Sequence, residues 1–276
     1  MAHLTARRRI STVAEGGTRS WIDHLITEEP LEIRLDGRAL AVTMRTPGDD
    51  FELAAGFLVS EGVVTRRDDI ATIRYCAGAT EEGLNTYNVL DVTLAPGVPV
   101  PEMSLERNFY TTSSCGVCGK TSLDAVRTKA AWRVEDEDLV LEPGSLAELP
   151  DRLRAAQGLF ERTGGLHGAG LFSADGDLRW VREDVGRHNA VDKLVGRAIL
   201  DDALPLRNHI LLVSGRASFE LVQKVVMAGI PAMAAVSAPS SLAADLAEEE
   251  GVTLVGFLRG TSMNVYTGSH RVRSGV

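Results

Sequence analysis

Residues 31–46, LEIRLDGRALAVTMRT, alternate between apolar and polar positions on either side of Asp36-Gly37. A period of two predicts strands with one buried face, and Asp-Gly between them predicts a tight hairpin turn. The pattern then changes. In PGDDFELAAGFLVSEGVV the apolar residues Leu53, Ala54, Phe57 and Leu58 recur at helical spacing, with Asp49 or Asp50 placed to cap the start and Gly62 to end the helix. Residues 70–76 and 86–94 read as two more strands. The three prolines of PGVPVP, residues 96–101, exclude a regular element and mark a boundary. Residues 122–132 read as helical. A polar, acidic stretch at 135–150 is expected to lead into a helix near 151–162.

The last hundred residues alternate more regularly. GLHGAGLFS and LRWVREDV read as paired strands around Asp175-Gly176. A helix over 189–201 follows, then a buried strand in HILLVSG, a helix over 217–229, a strand in PAMAAVS, a helix over 240–250 and a strand in VTLVGFL. Strands and helices in strict alternation imply parallel pairing in a layered α/β sheet. Ligands of such sheets sit beyond the carboxyl ends of the strands. Three loops are expected to meet there: Ser214-Gly215-Arg216, Ser237-Ala238-Pro239 and Arg259-Gly260-Thr261.

This pattern divides the chain into a flexible basic tail at 1–19, a small α+β domain at 20–101 and an α/β domain at 102–270. Composition narrows the function. Apolar residues make up 44% of the 276, enough for a globular core, and at 5% aromatics that core must be aliphatic. A formal charge of −9 argues against general nucleic-acid binding. The basic start lacks the apolar core of a secretory signal, and no apolar run is long enough for a bilayer span, so a cytoplasmic protein is expected.

Chemistry concentrates in SSCGVCGKTS, residues 113–122, where Cys115 and Cys118 have two residues between them; Cys76 is the third and last cysteine. A close cysteine pair in a reducing compartment points to metal or to reactivity. Zinc wants four ligands, and Cys76, His167 and His188 would have to complete the set with no second paired motif. No structural metal is expected. Dithiol exchange wants a strand before the pair, and here a long Ser/Thr loop precedes it. Sulfur carriage wants an accessible thiolate. Lys120 and the start of a helix near Thr121 would both lower the thiol pKa. Two cysteines packed in a glycine turn is the plain alternative.

Seven strings in order resemble one family: EEPLEIRLDG, VTMRTPGDDFELAAGFLVSEG, SSCGVCGK, REDVGRHNAVDKLVG, SGRASFELVQKVVMAGIP, SAPSSLA and GFLRGTSMNVYTG. Together, from about Trp21 to Gly268, they are similar to the FdhD family of formate dehydrogenase accessory proteins. The resemblance implies a main domain with cytidine-deaminase-like layering and a homodimer; from charge and apolar runs, no membrane or nucleic-acid partner is expected. It implies a sulfurtransferase that takes sulfur from a cysteine desulfurase as a persulfide. The acceptor is the molybdenum cofactor in its bis(molybdopterin guanine dinucleotide) form, on its way to the formate dehydrogenase apoenzyme. Cys115 matches the persulfide-bearing cysteine and Cys118 the second cysteine of the loop. Phe257, Leu258, Arg259, Gly260, Thr261 and Ser262 match the cofactor-binding string. The alternative is a non-catalytic chaperone that only binds and delivers the cofactor.

A guanine dinucleotide brings a pyrophosphate, which suits arginine. Arg216, at a helix start, is assigned to it. Arg187, His188 and Lys193 of the REDVGRHNAVDKLVG string are read as a second wall of the same pocket, against the plain reading of a solvated, capped helix start.

Overall fold

A computed structural model describes residues 4–76, 87–100, 130–135 and 137–273. Cys115, Cys118 and the helix expected over 122–132, apart from its last three residues, lie outside the described residues.

Strand β1 (Thr5–Ala14) pairs antiparallel with β2 (Gly17–Ile26) in unbroken register from Thr5↔Ile26 to Ala14↔Gly17. The flexible tail expected at 1–19 is thereby corrected to a β-ribbon. The ribbon is exposed on both faces, so it carries none of the apolar alternation that marks a half-buried strand.

The hairpin of β3 (Glu29–Leu35) and β4 (Arg38–Arg45) turns at Asp36-Gly37, both with positive φ (48° and 78°), as that dipeptide favours. With β5 (Ile70–Tyr75) and β6 (Val89–Leu94) it forms a four-stranded sheet of order β4-β3-β6-β5, in which β3 and β6 are parallel. Helix α1 (Asp50–Ser60) buries Leu53, Ala54 and Leu58, while Asp49 holds the N-cap position without a side-chain cap bond. Residues 96–100 form no regular element.

The larger sheet has the order β12-β11-β10-β9-β7-β8. Its strands are β7 (His167–Ser173), β8 (Leu178–Asp184), β9 (His209–Val213), β10 (Ala232–Ala235), β11 (Thr253–Arg259) and β12 (Ser262–Thr267). The expected parallel run is present in β9, β10 and β11, while β7, β8 and β12 pair antiparallel. Strand β12, absent from the sequence pattern, follows a tight turn after Arg259.

Alternate residues of the central strands feed two cores. Leu211 and Val213 of β9 and Met233 and Ala235 of β10 face one side, against α1, α4 (Arg187–Leu200), α5 (Phe219–Met227) and α6 (Ser241–Glu249). Ile210, Leu212, Ala232 and Ala234 face the other, against α2 (Pro143–Ala156). The result is an α/β molecule with helices on both faces of a mixed sheet.

Helix α2 begins eight residues before the expected start at 151. Pro143 opens the helix, where its missing N–H costs nothing, and Leu146, Leu149 and Leu153 form the buried stripe. Full burial of each contributes about 1.5–3 kcal/mol, enough to hold the helix through Pro150. A short α3 (Gly158–Thr163) follows after Gln157.

Helix α1 belongs to the same core as the larger sheet. It crosses α4 where Gly56 meets Gly196, so closely that a Cβ on either would overlap the backbone carbonyl of Asp192 or Glu52. Two glycines with ordinary helical conformation are required there by proximity alone.

Candidate functional site

The carboxyl ends of β9, β10 and β11 are knitted into one surface. The Ser237 N–H donates to Gly215 O (3.4 Å), the Ala217 N–H to Ala238 O (3.2 Å) and the Phe257 N–H to Ser237 O (3.1 Å). The Arg259 Nε–H reaches Val236 O at 3.3 Å. All three expected loops therefore meet. Strand β7 joins them: the Gly168 N–H donates to Ser214 Oγ (2.9 Å), and the Ser214 N–H returns a bond to Gly168 O (3.0 Å).

The string 257–262 is the tip of the β11–β12 hairpin. Phe257 and Gly260 have positive φ (52° and 51°), which turns the chain and leaves Phe257 exposed. Arg259, Gly260, Thr261 and Ser262 are exposed, whereas the Leu258 side chain is buried in the core shared with Val255. Leu258 presents only its backbone to this surface. Arg216 is exposed beside it, at the entrance to α5.

Arg187 and His188 open α4 on the same edge. Arg187 and His167 both lie against Gly215, and the Arg187 Nε is buried with no hydrogen-bond partner among the described residues. His188 Nε2 lies 2.8 Å from a Glu220 carboxylate oxygen and 3.3 Å from Ser218 Oγ, which fixes its ring across the start of α5. Burial, then the charges of Arg187 and His188, push the His167 imidazole below its usual range, with Asp184 opposing.

The rest of REDVGRHNAVDKLVG is structural. Lys193, read from the sequence as a phosphate ligand, is instead 1% exposed, paired with Asp184 and donating to Thr46 O. Asp192 accepts from Lys224 and from Ser60 Oγ. Arg182 forks onto Glu52 of α1 (2.5 and 2.8 Å). Glu183 accepts the first free N–H groups of α3, from Leu159 and Phe160. Position along the helix and around it separates the string: Arg187 and His188 lie in the first turn at the sheet edge, Asn189 and Lys193 reach the end of β4, and Asp192, one turn below His188 on the same face, reaches Ser60 of α1 and Lys224 of α5.

Beside this edge, on the α2 side, lies an open cleft of about 480 Å³ lined by Arg154, Gln157, Phe160, His167, Ser214 and Val236 among others. The volume is that of a small-molecule site. The Arg154 guanidinium sits 3.9 Å from the centroid of the Phe160 ring. Gln157 is buried, its Nε2 has no hydrogen-bond partner among the described residues, and its amide packs against Gly168, where a Cβ would overlap it. Sequence reasoning missed Arg154, Gln157 and Phe160. The one local trace is Gly168, whose missing side chain makes room for the amide. Among the described residues, no group of three His, Cys, Asp or Glu is placed to hold a metal ion, and no helix is long and apolar enough to cross a membrane.

Comparison with known proteins identifies the family. The chain is 66% identical to the sulfur carrier protein FdhD of Streptomyces avermitilis, over 99% of this chain and 97% of that protein. It is 54% identical to the sulfur carrier protein FdhD of Mycobacterium tuberculosis, over 99% of this chain and all of that one. A crystal structure described as a formate dehydrogenase accessory protein from Desulfotalea psychrophila superimposes with a TM-score of 0.76 at 26% identity, covering 98% of this chain and 100% of that one. The FdhD/NarQ family model matches residues 26–273, and the chain belongs to that family.

Proposed function

We propose that this protein is a cytoplasmic, homodimeric sulfur carrier for formate dehydrogenase maturation. It accepts sulfur from a cysteine desulfurase on Cys115 and passes it to the molybdenum cofactor, as Mo-bis(molybdopterin guanine dinucleotide), before the cofactor enters the formate dehydrogenase apoenzyme. Relatives named as sulfur carriers along the whole chain support the first half. The observation that carries the second half is convergence. Arg187, His188, Arg216 and the 257–262 turn meet at the carboxyl edge of one sheet, beside a cleft of nucleoside size.

In the loading step the Cys115 thiolate attacks the sulfane sulfur of the donor persulfide. A new S–S bond forms at Cys115 Sγ, the donor S–S bond breaks, and the donor cysteine leaves as thiolate with no net oxidation. In the delivery step an electron pair of the acceptor attacks the terminal sulfur of the Cys115 persulfide: the acceptor–sulfur bond forms, the S–S bond breaks and Cys115 leaves as thiolate, the acceptor supplying the two electrons that bring that sulfur to the sulfide level. Cys118, three residues on, is placed in sequence to share or relay the sulfur. The cofactor is the acceptor substrate. Arg216 and Arg259 have the charge and fork geometry for its phosphates, and Arg187 lies at a helix start that favours anions. In this reading the helices on both faces of the larger sheet are the cytidine-deaminase type of layering, without that fold's zinc motif.

The test is mass spectrometry after incubation with a cysteine desulfurase and free cysteine. The expected result is one added sulfur on the Cys115 peptide, removed by reductant and absent in Cys115→Ser. An unmodified Cys115 beside an active desulfurase would reject sulfur carriage and leave a cofactor chaperone, which Cys115→Ser would not impair.

A further inference from the structure

We propose that two copies of this chain associate by exchanging their β1–β2 ribbons, each ribbon docking on the exposed face of the other copy's α6. This names the interface of the homodimer read above and rests on that reading, but not on the sulfur chemistry.

The ribbon lacks support within its own chain. A two-stranded ribbon is marginal in water, and this one is anchored chiefly at its base, where Ile26 packs beside Gly165 and β2 meets α3. The register pairs Arg8↔Asp23, Ile10↔Trp21 and Thr12↔Arg19 share one face. That face carries Trp21, 45% exposed, with its Nε1–H donated to Thr12 Oγ1 at 2.9 Å. An exposed aromatic between two arginines is the composition of an interface centre. Among the described residues, neither Arg8 nor Arg19 makes an ion pair, nor do Arg7 and Arg9 on the opposite face.

The occupant follows from charge. The ribbon is a basic element on a chain of net charge −9. Helix α6 exposes Asp245, Glu248 and Glu249, and none of the three forms an ion pair among the described residues. Glu248 and Glu249 sit in the last turn, with no basic residue there to offset the negative end of the helix dipole. Two arginines from another copy would remove that penalty. The dimensions agree. Arg8 and Thr12 are four residues apart along β1, about 13 Å, and Arg19 lies across from Thr12. A helix about 10–12 Å wide fits between the two guanidiniums. Glu248 and Glu249 point about 100° apart around the axis, so each can meet a different arginine, with exposed Asp245 between their directions one turn earlier. Mutual exchange closes as a two-fold dimer.

The experiment is sedimentation velocity on the full chain, with charge reversals Arg8→Glu/Arg19→Glu on the ribbon and Glu248→Lys/Glu249→Lys on α6. Each variant alone should associate roughly 100-fold more weakly than the parent chain. An equimolar mixture should restore the dimer, because both ribbon–helix contacts then join opposite charges. That rescue also shows that both variants fold. A parent dimer insensitive to either reversal, or a mixture that stays monomeric, overturns this interface and leaves the homodimer reading standing. A parent chain that is monomeric at micromolar concentration overturns both.

Discussion

Lys193 Nζ lies 2.8 Å from an Asp184 carboxylate oxygen, with both side chains closed off from solvent. The carboxylate also accepts from the Thr46 N–H (3.0 Å), the Gly186 N–H (2.8 Å) and Asn189 Nδ2 (3.0 Å). One buried charge thus ties β4, β8 and the start of α4 together, and so fixes where Arg187 and His188 emerge. Replacing Lys193 with Met should cost about 3–5 kcal/mol, because it strands a buried carboxylate. The double variant Asp184→Asn/Lys193→Met should recover much of that loss. Urea unfolding of the three chains checks both statements, and a K193M chain as stable as the parent would remove the pair from this role.

The α1–α4 crossing depends on Gly56 and Gly196. Gly56→Ala should destabilise by about 2–3 kcal/mol, since the added methyl meets backbone that must move. Gly56→Ala/Gly196→Ala should cost less than the sum of the singles, because helices already separated by one methyl accommodate the second. Thermal unfolding of the three variants tests this directly.

His167 and His209 are both held below their usual pKa. Burial dominates at each; for His167 Arg187 adds to it, and for His209 the Arg207 carbonyl opposes it. A histidine depressed in the folded state binds fewer protons there than in the unfolded chain. Stability therefore rises with pH through the window below about 6.5 and is lost as pH falls through it. The melting temperature should drop between pH 7.5 and pH 5. In His167→Gln/His209→Gln that drop should be smaller, and an unchanged drop would rule out these two rings as its source.

Arg259 and Arg216 are exposed and touch little of the core. Replacing either with Ala should leave the melting temperature unchanged. If they hold phosphates, each replacement should weaken binding of guanosine diphosphate, a probe for the cofactor's guanine end, by about ten- to a hundredfold. Titration calorimetry reads this without any sulfur chemistry. Equal binding by parent and variants would move the phosphates elsewhere.

Some of this molecule is written in short stretches of chain. Asp36-Gly37 specifies its own turn, because both residues tolerate positive φ and the flanking alternation sets the register. The run from β9 to β11 is legible because apolar strands and amphipathic helices alternate with short connections. The ribbon at β1–β2 was not legible, since no buried face backs it; in strand β12 Met263, Val265 and Thr267 do alternate toward the core, but over six residues with the first two only half-buried the pattern is faint.

What the sequence determined by itself is local: turns, the order of strands and helices, the cysteine spacing of SSCGVCGKTS, and so the family. What only the tertiary structure decided is which polar residues have company. Lys193 and Arg187 belong to one charged string, yet one neutralises Asp184 in the core and the other stands at the sheet edge, its Nε unpartnered among the described residues. Gln157 carries no motif, yet it lines the cleft because Gly168, eleven residues on, leaves it room. Burial and partnership are properties of packing between distant segments, and no local pattern contains them.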